Sequence, residues 1–235
     1  MRPLLYTYRR CPYAMRARMA LLLGGVAFDA CEIVLRDKPQ ALLDASPKGT
    51  VPVLLPGGAP VIEQSWHIVA WALTHPAAGA EARDAWRRAC SGDNPQWLER
   101  NDTRFKFSLD RYKYPERFTD ASQPTPADVR SAHLQQCLAG FLQPLEQRLT
   151  ASRFLGGATP CATDIGIVPF VRQFAAIDPG QFAGLALPHT QAWLSFWQNS
   201  ALFAAAMVKW PANTLHTFTA DTTHARLFAP SQSAL

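Results

Sequence analysis

The sequence predicts an α/β layer of about 75 residues followed by an all-α layer. Three observations carry this. Short apolar runs alternate with helical patterns as far as residue 74. The stretch His75-Pro76-Ala77-Ala78-Gly79-Ala80 then interrupts the pattern with a proline and small residues. Beyond it strand signals vanish, and apolar residues recur at helical spacing. The expected organisation is a first domain over 1–75, a linker over 76–84, a helical domain over 85–218 and a tail over 219–235.

Residues 3–8 read as a buried strand and 12–24 as a helix with Met15, Met19 and Leu22 on one face. Gly24-Gly25 ends that helix, as glycine past a helix end does. Residues 26–35 read as a second strand, and 38–45 as a short helix opened by Pro39. Residues 51–55 are strand-like, yet Pro52 inside them cannot donate to a ladder. Its presence suggests a special bend, with a cis X–Pro bond as the candidate. Gly57-Gly58 turns the chain into a last short strand at Val61-Ile62, and 64–74 form a helix. The sheet is therefore expected to be mixed and four-stranded. Helical patterns then fill 81–91, 95–113, 126–149, 162–176 and 189–208. Pro144 should kink or locally loosen the third of these. Residues 165–174 are apolar nearly all round and read as a buried central helix bent at Pro169. The Thr/Ala/Ser/Pro-rich tail is expected to pack poorly.

The 235 residues carry a net charge of +5, which suits an anionic small molecule better than nucleic acid. No apolar run approaches the roughly 20 residues of a membrane-spanning helix. Met1-Arg2-Pro3 leads straight into the first strand without a visible signal peptide. The five cysteines, Cys11, Cys31, Cys90, Cys137 and Cys161, are scattered and odd in number. That favours a reducing cytoplasm over a disulfide framework, and no metal site is expected. The six histidines show no metal or Cys–His pairing.

The stretch with chemical potential is Cys11-Pro12-Tyr13-Ala14, between the first strand and the first helix. The free backbone N–H groups and the dipole of a helix start favour a thiolate there. Arg9, Arg10, Arg16 and Arg18 add positive charge nearby, although all four are compatible with a solvated position. Local sequence leaves two readings: a reactive cysteine, or a small apolar residue closing a strand–helix corner.

Several motifs in register decide further. Cys11-Pro12-Tyr13-Ala14-Met15-Arg16-Ala17-Arg18, Lys38-Pro39, the Gly49 to Leu54 run with its Val51-Pro52, and Gln64-Ser65 together resemble the glutathione transferase version of the thioredoxin fold. The stretch is most similar to the omega class and related bacterial cysteine-type transferases. The resemblance implies a thioredoxin-like first domain, an all-helical second one, and a homodimer. It implies glutathione as cosubstrate: Val51 beside a cis Pro52 would pair with its cysteinyl amide, and Ser65 with the third helix's start would hold the γ-glutamyl carboxylate. Lys38 would meet the glycine carboxylate, and Tyr13 would complete the site beside Cys11. One departure is Gln64, where the family usually has Glu; it keeps a hydrogen bond and loses an ionic contact with the ammonium. Phe105, Tyr112 and Tyr114 are candidate walls of a substrate pocket, or else aromatic anchors into the helical core.

A cysteine at this corner implies thiol–disulfide exchange through a Cys11–glutathione mixed disulfide. Ala14 in place of a second cysteine leaves resolution to external glutathione. The alternatives are conjugation of glutathione to apolar electrophiles, and a non-enzymatic interaction module of the stringent starvation protein kind. Neither a nucleic-acid nor a membrane partner is expected.

Overall fold

The computed structural model describes residues 2–119 and 125–228. Strand β1 (Leu4–Thr7) runs into helix α1 (Pro12–Leu23), and β2 (Phe28–Glu32) lies parallel to β1. Helix α2 (Gln40–Ala45) follows, then β3 (Val53–Leu55), antiparallel to β1 on its other side. The Val51–Pro52 bond is cis. Gly24 must be glycine, because a Cβ there would lie 2.4 Å from the Ala72 carbonyl oxygen of helix α3 (Ser65–Thr74). This contact lets α1 and α3 pack tightly on one face of the sheet.

The sheet is mixed and four-stranded as predicted, but its fourth strand is not the predicted one. Val61-Ile62 makes a single bridge, Ile62 to Leu54. The fourth strand is β4 (Leu215–Phe218), which adds antiparallel to β2 and gives the order β3-β1-β2-β4. So strand structure does recur beyond residue 80. The Phe218 ring stacks on Phe28 at 4.6 Å and 13°, and Trp210 stacks on His216 at 4.9 Å. These ring contacts fasten a four-residue strand whose alternation is too short to read. The chain then makes a 3₁₀ turn at Thr223–Phe228 that buries Ala225 and Phe228, the latter against Trp197. The tail therefore packs as far as Phe228; the rest of the predicted tail lies outside the described residues.

Helices α4 (Ala80–Ala89), α5 (Asn94–Arg100) and α6 (Lys106–Lys113) follow α3. A π-helical turn, Asn101–Phe105, joins the last two. Helix α4 begins inside the stretch expected as linker. Helix α7 (Pro126–Cys137) passes through a second π-helical turn, Leu138–Leu142, into α8 (Gln143–Ala151). Here Pro144 acts as expected: it has no N–H for the Gly140 carbonyl, and the ladder widens just before it. Helix α9 (Ala162–Ala175) is the buried central helix and stays continuous through Pro169. The helical pattern read over 189–208 divides into α11 (Pro188–Gln198) and α12 (Ala201–Ala206), because Ser200 caps the second at the Phe203 amide; a short α10 (Pro179–Ala183) precedes them.

Asp164 closes a capping box with Cys161 at the start of α9. Its fully buried carboxylate accepts from the amides of Cys161 (2.8 Å), Leu155 (2.9 Å) and Gly156 (3.2 Å) and from Trp193 Nε1 (2.9 Å). Four donors from three segments thus converge on one side chain. Asp164→Ala should lower the free energy of unfolding in urea by roughly 3 kcal/mol or more, because buried donors are left unsatisfied. Asp164→Asn should lose less, and equal loss would mean that the donors find water.

Candidate functional site between the two layers

Cys11 is the N-cap residue of α1, with extended backbone (φ −75°, ψ 123°) and Pro12 at the first helical position. Its amide bonds the Tyr8 carbonyl at 3.0 Å, which fixes the corner. The half-buried thiol lies 3.6 Å from the Val51 carbonyl oxygen, to which it donates. The cis bond to the buried Pro52 holds that backbone beside Cys11. Lys38 reaches the same place because Gly49 leaves it room. Gly49 has φ +58°, and a Cβ there would lie 3.3 Å from Lys38 Nζ and 3.0 Å from Leu43 Cδ2.

Cys11, Lys38 and Val51 open into one cavity of about 590 Å³. Its other wall comes from the helical layer and includes Lys106, Lys113, Tyr114 and Arg117. Of the three aromatic candidates, only Tyr114 lines this cavity. Phe105 is buried and stacks on Phe141 at 4.2 Å, and Tyr112 is buried against Phe174 with its hydroxyl on Gln181. Those two are core anchors, because their side of the helix faces α7 to α9 and not the sheet.

The structure corrects the expected ionisation of Cys11. Burial pushes the thiol above its ordinary value of 9.0. The amides of Ala14 and Tyr13 and the charges of Arg18 and Lys106 pull the other way without offsetting it. The helix start is present, but desolvation outweighs it. Burial also drives Cys137 and Cys161 up to about 12, as befits packed structural thiols.

A second cluster surrounds Ser65, the buried first residue of α3. Gln64 precedes it as an exposed N-cap residue and makes no side-chain cap bond. Glu63 is taken up by Ser46 and by Lys48. The organising group here is Arg16, which sequence reading left compatible with solvent. It is fully buried. It donates to the Gly166 carbonyl (2.9 Å), to Ser65 Oγ (3.2 Å) and, in a two-pronged ion pair, to Asp102 (2.9 and 2.6 Å). Arg18 is buried as well, donating to Thr7 Oγ1 and to the carbonyls of Arg9 and Ala206. The only signal for either was two arginines flanked on both sides by apolar residues, where a solvated face would have been more mixed. Tyr13 sits half-buried with its ring edge-on to Phe170 at 4.8 Å, and burial raises its hydroxyl to about 12. It packs against α9 and does not line the cavity.

Among the described residues, no group of three or more His, Cys, Asp or Glu could hold a metal ion. No described helix is long and apolar enough to cross a membrane.

Residues 5–80 match the family described as glutathione S-transferase, N-terminal domain. A probable glutathione transferase of Aplysia californica is 42% identical over 55 residues, which are 23% of this chain and 60% of that protein. Glutathione S-transferase omega-1 of Mus musculus is 23% identical over 219 residues, 92% of this chain and 81% of that protein. The solved structure of a glutathione transferase family member from Pseudomonas fluorescens pf-5, with two glutathione bound, has a TM-score of 0.67 at 15% identity. That likeness covers 87% of this chain and 92% of the other. The chain has the thioredoxin-like plus helical fold of the glutathione transferases.

Arg16→Met should lower the unfolding free energy by roughly 3 kcal/mol, since it strands Asp102 and a buried carbonyl. Asp102 is 29% exposed, so water takes over part of its side. Urea unfolding followed by tryptophan fluorescence checks this; a loss below about 1 kcal/mol would mean that the pair contributes no more than a surface one.

Proposed function

We propose that this chain is a glutathione-dependent thiol transferase in which Cys11 is the exchanging nucleophile. The observation that carries the reading is the Cys11 thiol at the start of α1. It opens into an interlayer cavity beside the Val51 carbonyl and has Ala14 one turn on, where a local partner thiol would stand. The likeness to glutathione transferases supplies the cosubstrate. In this reading glutathione lies along Val51-Pro52, with its glycine carboxylate toward Lys38 and its γ-glutamyl end toward Gln64, Ser65 and the N–H groups of α3. Tyr13 stiffens the α1 side of the site, and Tyr114 is the wall facing Cys11. A homodimer and a reducing cytoplasmic setting belong to the same reading.

The reaction has two steps. The Cys11 thiolate attacks the glutathionyl sulfur of a mixed disulfide RS–SG; the Cys11–S–SG bond forms as the RS–SG bond breaks, and RS⁻ leaves and takes up a proton. The thiolate of a second glutathione then attacks the glutathionyl sulfur of Cys11–S–SG, giving glutathione disulfide and restoring the Cys11 thiolate.

Two measurements test this. With reduced glutathione supplied, Cys11→Ala should lose nearly all turnover of a small glutathione mixed disulfide. Retained turnover would assign Cys11 to positioning and move conjugation ahead. In stopped flow, the first step should accelerate continuously from pH 7 to pH 9. The Cys11 thiol is held above its ordinary 9.0, so its thiolate fraction is still rising across that range. Lys106→Gln should shift the profile further to alkaline pH, since that charge favours the thiolate. A plateau below pH 8 would mean that the thiol ionises early.

A further inference from the structure

The wall that faces Cys11 from the helical layer is cationic where an apolar one would suit a greasy electrophile. Lys106 and Lys113 stand on α6, and Arg117 on the 3₁₀ turn Pro115–Arg117 just after it. All three line the Cys11 cavity, as do Arg10 and Lys38 from the sheet layer. Among the described residues, no Asp or Glu lines it. Two of these cations have other work. Lys106 pairs with Asp110 one turn along α6, and the Arg10 guanidinium donates to the Tyr8 hydroxyl at 2.7 and 3.0 Å. Lys113 and Arg117 flank Tyr114 instead, at 4.9 and 4.2 Å from its ring centre. The ring holds both cationic groups at the cavity without neutralising them.

We propose that the half of the disulfide released at Cys11 is an anion, a thiol bearing a carboxylate, sulfonate or phosphate that Lys113 and Arg117 receive beside Tyr114. The proposal rests on the exchange reading above and names its substrate class. Lys38 serves the glycine carboxylate of glutathione, so Lys113 and Arg117 remain for the second group. Their charge does two things. It draws in a disulfide that is anionic at both ends, and it stabilises the thiolate RS⁻ as the RS–SG bond breaks.

The test uses three disulfides of glutathione whose released thiols are alike in size and differ in charge, formed with 2-mercaptoethanesulfonate, 2-mercaptoethanol and cysteamine. In the wild type kcat/KM should fall in that order. The sulfonate should exceed the hydroxyl compound about tenfold or more, as a charge-assisted hydrogen bond implies. The gap should shrink with added salt. In the double variant Lys113→Gln/Arg117→Gln the advantage of the sulfonate over the hydroxyl compound should vanish. Equal values in the wild type, or a sulfonate advantage that survives in the double variant, overturn the proposal.

Binding of the matching thioethers, S-(2-sulfoethyl)glutathione and S-(2-hydroxyethyl)glutathione, is measured by calorimetry in parallel, because a thioether cannot exchange. If no disulfide turns over but the sulfonate thioether still binds about tenfold tighter, the charge preference stands and the exchange reading fails. If both thioethers bind alike, the charge preference fails even where exchange proceeds. If neither binds, both readings fail together.

Discussion

The arrangement of the two layers depends on one buried guanidinium. Arg16 leaves α1, which belongs to the sheet layer, and bonds Asp102 and the Gly166 carbonyl, which belong to the helical one. Taking a guanidinium fully out of water is costly unless nearly every donor finds an acceptor. Here Nε has a carbonyl and both Nη atoms have the carboxylate, while the faces of Phe170 and Trp66 cover the plane at 4.9 and 5.7 Å. That set of partners exists only when α1, α3, the Asn101–Phe105 π turn and α9 are all in place. The same cation donates to Ser65, so the bond that locks the layers also orients the first residue of α3. Gly166 completes the fit: a Cβ there would come within 2.9 Å of Trp66.

Arg18 solves the same problem with different acceptors. It has no carboxylate partner within bonding distance among the described residues, and burial lowers its pKa to about 10. Carbonyls of Arg9 and Ala206 and the Thr7 hydroxyl accept its hydrogen bonds. Those partners lie at the end of β1, in the turn before Cys11 and at the end of α12. The corner that carries the cysteine is thereby tied to the far end of the chain, just before the segment that returns as β4. Its charge is also one of those drawing Cys11 toward the thiolate. One side chain therefore fixes where the thiol sits and opposes part of its desolvation.

What the sequence made legible was mostly local. A proline after Cys11, a glycine pair after Leu23 and a proline inside residues 51–55 each constrain a few torsions, and each constraint appears where its residue stands. The stretch from Cys11 to Ser65 could be read because several such constraints occur in a fixed order. What stayed hidden depends on partners distant in the chain. Strand β4 is four residues long and is held by stacking on Phe28, which no period-2 count over 215–218 can show. The burial of Arg16 needs Asp102 and Gly166, 86 and 150 residues away. Phe105 and Tyr112 have the composition of pocket walls, and only the packing of α6 on α7 and α9 turns them inward. Tyr114 differs because α6 has ended there, leaving its ring outside the helix's buried face.

The raised Cys11 thiol and the cationic cavity are two parts of one electrostatic arrangement. Desolvation lowers the fraction of thiolate, yet a thiol of higher pKa is intrinsically more nucleophilic, with a Brønsted slope of about 0.4–0.5. Each unit of upward shift therefore costs about tenfold in thiolate and returns about threefold in reactivity. The remainder must come from outside the helix start. Lys106 and Arg18 already act on the sulfur itself. In the exchange proposed above, the cations farther along the wall would act on the other end of the scissile bond, where negative charge grows as RS⁻ departs. Under that proposal, a site that penalises charge on its own sulfur and welcomes it across the cavity would favour displacement toward the helical wall. That polarity follows from where burial ends and the lysines and arginines begin.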